Sequence, residues 1–301
     1  MPTMRCLLIL GLTTCTAFGL GSFAPQVSQA RPACGLAAVQ GDYGFIVSGT
    51  GVPTDPPSPI PFLGPLVGVG ISHFDGKGNL TLMTEKLNVN GEALDTSFTG
   101  TYQINPDCSG EMVATSTLTG TTNTYSIAVT AHGNEVLLVQ KVPTSPVVAA
   151  TFKKLWMPAT TRPGGSCTPG SLRGEYAFAA GGSNPQVSPP SAGAVITPLL
   201  SVGAADFDGR GGGTLTETAN AVGSVAERTA TIAYTINPDC TGVMSVTTTS
   251  SGAVRQLNFV LVSLGKEILF IQTDPASDVL SGRFQKASVD RIGPAPVRGR
   301  D

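Results

Sequence analysis

From residue 41 the chain alternates apolar and polar positions in short runs. Tyr43, Phe45 and Val47 occupy every second position, and Phe98, Tyr102 and Ile104 share one parity. A period of two places such residues on one face of a strand. Gly, Asn and Pro separate the runs, and the spacing predicts eight strands near 41–49, 65–74, 79–88, 94–104, 111–119, 123–131, 135–142 and 147–155. The pattern returns later in the chain, from "GEYAFAAG" to "VLSGRFQK". No segment sustains a 3.6-residue apolar period with caps, so helices are not expected. Eight short strands joined by tight turns predict an all-β fold, an antiparallel up-and-down barrel that removes its own edges. A two-sheet sandwich is the alternative.

The second set of strands is a copy of the first. "GDYGF" reappears as "GEYAF", "FDGKG" as "FDGRG", "INPDCSG" as "INPDCTG" and "GNEVLLVQ" as "GKEILFIQ". After one single-residue slip near position 80, the offset stays at 132 to the end. This is tandem duplication of a unit of roughly 120 residues, the size of one small domain. The expected organisation is a signal peptide at 1–30, repeat one at 31–156, a Pro/Gly linker at 157–166, repeat two at 167–288 and a polar tail at 289–301.

Composition agrees with strands: 41% of the 301 residues are apolar and only 13% charged, against a typical ~25% charged. The formal net charge of −2 gives no global attraction to nucleic acid or acidic membranes. Arg5, the apolar "CLLILGL" and the small residues Ser28 and Ala30 fit a secretory signal rather than a membrane span. A lipoprotein signal at Cys15 fits less well, because Thr14 stands where a smaller residue is expected. Secretion or periplasmic export follows as the expected destination. The remaining cysteines are Cys34, Cys108, Cys167 and Cys240, which in an exported chain imply two disulfides with three connectivities. If each copy folds alone, Cys34 pairs with Cys108 and Cys167 with Cys240. Asn-Pro-Asp then makes a turn that the cysteine fastens to the start of its own repeat.

"LAAVQGDYGF" and "SLRGEYAF" resemble the G-x-[WY] opening of the first strand in lipocalin-like, or calycin, barrels. "GTY" before a turn resembles a stretch of allene-oxide-cyclase-type barrels. The set G-x-Y-x-F, F-D-G-x-G, N-P-D-C-[ST]-G and G-x-E-[IV]-L, which covers nearly all of both copies, resembles uncharacterised exported bacterial proteins. The barrel resemblance implies a calycin-like fold with an apolar ligand inside. It also implies that the first connection crosses the open end, with Ile60, Phe62 and Leu63, and Val195, Ile196 and Leu199, on the underside of a lid. A solvated, proline-stiffened surface loop is the other reading of these segments.

Candidate chemistry is sparse. His73 corresponds to Asp206 in the copy and His132 to Leu264, so neither serves as a base shared by both units. "FDGKGN" has too few oxygen ligands for a calcium loop. "GRGGGT" lacks the Lys-[ST] of a phosphate-binding loop. No catalytic, cofactor or metal residues are assigned. Inward-facing Tyr43, Phe45, Phe98, Tyr102, Tyr176, Phe178 and Tyr234 either line an apolar cavity or fill the barrels solidly. The expected function is non-catalytic binding of a small apolar ligand. A structural or surface-interaction protein is one alternative and an isomerase or cyclase another. No nucleic acid, membrane span or cofactor is expected.

Overall fold

In the computed structural model each repeat closes on itself. The structure describes residues 34–52, 64–155, 167–185, 196–221 and 223–287. The signal, linker and tail assignments, and the lid residues Ile60, Phe62, Leu63 and Val195, lie outside them. The first barrel runs β1 (Gly41–Gly51), β2 (Gly64–Phe74), β3 (Asn79–Val89), β4 (Glu92–Ile104), β5 (Ser109–Ser116), β6 (Thr122–Thr130), β7 (Glu135–Val142) and β8 (Val147–Lys154). Each strand pairs antiparallel with the next, and β8 returns to β1 from Tyr43↔Lys154 to Thr50↔Val147. The second runs β9 (Arg173–Pro185), β10 (Ile196–Asp208), β11 (Gly212–Ala221), β12 (Ser224–Ile236), β13 (Thr241–Thr248), β14 (Val254–Val262), β15 (Glu267–Asp274) and β16 (Val279–Lys286), with β16 closing on β9. The expected pair of eight-stranded up-and-down barrels is therefore the fold. Closure pairs every strand on both sides and leaves no open edge.

One end of each barrel is plugged. A short 3-10 turn, Leu36–Val39, crosses the first barrel's end, and Cys34 is bonded to Cys108 behind it. The second disulfide joins Cys167 to Cys240. These links close 74 and 73 residues of chain, for which a chain-entropy account gives ~4–5 kcal/mol each. Asp107 accepts hydrogen bonds from the Ser109 backbone (3.0 Å) and hydroxyl (2.7 Å), and Asp239 does the same for Thr241. Cys108 and Cys240 take φ near +70° in the same turn. The recurring N-P-D-C motif is thus a turn that pins the plug.

Aromatic side chains pack behind the plug. Phe74 meets Tyr43 edge-on at 5.3 Å and Tyr102 at 5.1 Å, and Phe207 repeats this with Tyr176 and Tyr234. The Tyr43 hydroxyl donates to the Gly133 carbonyl, and Tyr176 to that of Gly265 at 2.5 Å. Burial raises the Tyr43 pKa and pushes that of Tyr176 up to about 12. "FDGKG" is a hairpin turn whose Asp75 carboxylate accepts the Lys77 and Asn79 backbone N–H groups at 2.7 and 2.9 Å. These hydrogen bonds, with one from the Asn79 side chain, hold its pKa down to about 2.

The two barrels meet along an apolar seam. The outward face of β2 supplies Val67, Val69 and Ile71, and β1 adds Ile46; opposite stand Val260, Val262, Leu269, Ile271 and Val279. Close approach requires Gly44, where a Cβ would lie 2.5 Å from Val262. Polar contacts flank the seam. Asn88, fully buried, donates to the carbonyls of Gln272, Ala276 and Asp278 at 3.0–3.2 Å, and Lys153 pairs with Glu267 at 2.7 Å. The seam joins unlike faces, since β14–β16 of the second repeat correspond to β6–β8 of the first. Asn88→Ala would leave those carbonyls unanswered at a buried site. It is expected to lower unfolding free energy by about 1–3 kcal/mol in a denaturant titration, and an unchanged midpoint would disprove the role given to Asn88.

Candidate functional site

Similar backbones enclose very different interiors. The first barrel holds a cavity of about 520 Å³, and the second one of about 20 Å³. The larger cavity is lined by inward positions of several strands, including Val47, Leu66, Met83, Leu87, Leu94, Phe98, Tyr125, Leu138 and Phe152. Its rim is made by turn residues Asn90, Leu118, Thr119 and Pro146, at the end away from the disulfide plug. Alternation in β3 places Met83, Glu85, Leu87 and Val89 on this wall, while Lys86 points out to pair with Asp95 at 2.5 Å.

The second barrel is filled by larger side chains at matching positions. Phe270 stands for Leu138, Leu280 for Val148 and Val246 for Ala114. Phe284 packs between Phe178 and Phe270 with centroids 5.1 and 5.0 Å away. Smaller residues elsewhere, such as Ala230 for Phe98, do not reopen the space.

One polar residue on the first cavity's wall stands out. Glu85 is buried and makes no hydrogen bond or ion pair with any described residue; its Oε1 is wholly enclosed. Its pKa is pushed up to about 8, because burial penalises the charged carboxylate. The Asn123 Oδ1, on the same wall, is also enclosed without a partner. Glu217 holds the equivalent place in the second barrel and is fully engaged. Arg255 Nη2 lies 2.6 Å from its Oε1, the Ser201 hydroxyl donates to Oε2 at 2.8 Å, and Arg228 approaches to 4.0 Å.

Of the residues marked by sequence pattern, Phe98 lines the cavity. Phe45 lies beneath it, stacked at 4.8 Å on Phe152. Tyr43 and Tyr102 belong to the plugged end, as do Tyr176 and Tyr234 in the second barrel, while Phe178 borders the small remnant. Leu199 sits in β10, partly buried against the second core; Ile196 begins that strand, but its side chain is outside the described set. His73 Nδ1 lies 2.6 Å from Asp42 Oδ1, and His132 occupies a turn at φ +57°. No group of three or more metal-binding side chains occurs among the described residues. Sequence reasoning passed over Glu85 and Asn123. The available signal was a carboxylate recurring at 85 and 217 in phase with apolar neighbours Met83 and Leu215.

Fold and site together define a tandem pair of closed β-barrels, one hollow with an apolar chamber and a buried acid, the other solid. Comparison with known protein families and with curated proteins finds no match to this chain. Among the described residues no helix is long and apolar enough to cross a membrane.

The acid makes stability depend on pH. Folded Glu85 keeps its proton to about pH 8, whereas an unfolded glutamate releases it near 4.5. Between these values the native state binds more protons than the unfolded chain, so stability falls as pH rises through that window. Glu85→Gln removes this contribution. The variant is expected to melt close to the parent at pH 4.5 and several degrees above it at pH 9, by calorimetry; parallel profiles would refute the assignment.

Proposed function

We propose that this is an exported binding protein that holds one small apolar ligand in its first barrel. The carrying observation is the contrast between a cavity of about 520 Å³ in that barrel and about 20 Å³ in the other. A pocket in the range ~300–1,000 Å³, apolar with a few placed polar groups, is the usual form of a small-molecule site. The second barrel encloses only about 20 Å³, as a close-packed core does, which supports a role as rigid partner across the seam. The lipocalin-like resemblance of the G-x-Y openings favours the same use of the barrel interior. The two disulfides favour an oxidising compartment, as the secretory reading requires.

Titration with a fluorescent apolar probe is expected to give one site per chain, not two. Leu138→Phe with Val148→Leu transfers two fillers of the second barrel into the first. The double variant is expected to bind the probe at least tenfold more weakly, with no loss of melting temperature. Undiminished binding, or two sites per chain, would sink this reading.

A further inference from the structure

The duplication supplies an internal control on the chemistry of the cavity, and the inference rests on the binding reading above. None of the three groups that serve Glu217 recurs around Glu85. Ser201 corresponds to Gly68, Arg228 to Thr96 and Arg255 to Asn123. Gly68 has no side chain, and a Cβ there would lie 2.1 Å from Glu85 Oε1, so the carboxyl group occupies that space itself. The Thr96 hydroxyl is engaged with Ser116 at 3.2 Å. Asn123 is neutral; its Oδ1 is enclosed without a partner, and its side chain is engaged with the Tyr125 hydroxyl. Two cations thus stand beside the acid in one copy and are absent from beside it in the other.

A buried carboxyl without a partner is costly, and a group of opposite charge with N–H donors relieves that cost. The cavity sets this acid and the Tyr125 hydroxyl in a wall of Met83, Leu87, Leu94, Phe98 and Leu138, and supplies no cation among its described lining residues. Its complement is a molecule with an apolar body and one protonated nitrogen. An ammonium carries up to three donors and no acceptor, which matches this arrangement. Glu217 shows the same chemistry satisfied internally, by a guanidinium 2.6 Å away. We infer that the first barrel selects an apolar amine, whose cation takes on Glu85 the place that Arg255 takes on Glu217.

The test is isothermal titration of the purified chain with three probes of equal length: decylamine, 1-decanol and decanoate. Decylamine is expected to bind at least tenfold more tightly than 1-decanol, and decanoate least well. Glu85→Gln, close to isosteric, is expected to remove at least tenfold of the amine affinity and leave the alcohol within about twofold. Asn123→Arg supplies an internal guanidinium and is expected to exclude the amine while raising the melting temperature. Comparing the probes on the unmodified chain needs no variant to fold. If the alcohol binds as tightly as the amine, or the amine's advantage survives Glu85→Gln, the inference falls and the apolar-binding reading stands. If none of the three binds, both fall.

Discussion

Closure of the hydrogen-bonded ladder is the constraint on which the rest of this structure depends. Once β8 returns to β1, and β16 to β9, every other residue of each strand must point inward. The backbone then fixes how much space is enclosed, and side chains alone decide whether that space is filled. The plugged ends reinforce this by holding one mouth shut with a 3-10 turn, a disulfide and a trio of edge-packed rings. What remains variable is the interior wall beyond the rings, and there the two copies part.

Their divergence is concentrated and chemically coherent. Phenylalanine for leucine at 270 and leucine for valine at 280 add bulk to the second interior, while two arginines and a serine answer its acid. The first interior has the acid and none of the three answers. Burying an unpaired carboxyl group opposes folding, so the hollow barrel is the less stable arrangement in isolation. The seam compensates by tying it to a solid neighbour through Val67, Val69 and Ile71 and the three hydrogen bonds from Asn88. Stability and a vacant interior are thereby divided between the two copies.

Most of the architecture was legible in the sequence. Turn residues and period-two alternation gave all eight strands of the first repeat with ends within a few residues of those observed, and the offset between copies gave both disulfides. The cavity was not legible, because inward Tyr43 and Tyr102 look like lining residues yet pack into the plug. The empty space depends on the sizes of side chains brought together from separate strands, such as Leu66 and Leu138, which no local pattern records. Glu85 was overlooked because "TEK" between strand residues reads as solvated surface. Only its parity with Met83 and Leu87 turns it inward. The seam was overlooked because "LVGVGI" reads equally as a strand covered on both faces by any neighbour.

The seam joins the β1–β2 side of one copy to the β14–β16 side of the other, in the manner of a coupling with a plug and a socket. Such a joint consumes one plug and one socket and leaves one of each idle, unlike a two-fold contact that uses the same patch twice. On the idle β9–β10 side, Ala179 and Ala204 stand where Ile46 and Ile71 are partly buried in the seam, with Leu200 and Val202 open to solvent. On the idle socket, Ala128 and Thr130 replace Val260 and Val262. Leu137, Val139 and Val147, the counterparts of Leu269, Ile271 and Val279, stay apolar and exposed, so each idle face is reduced in bulk yet still apolar.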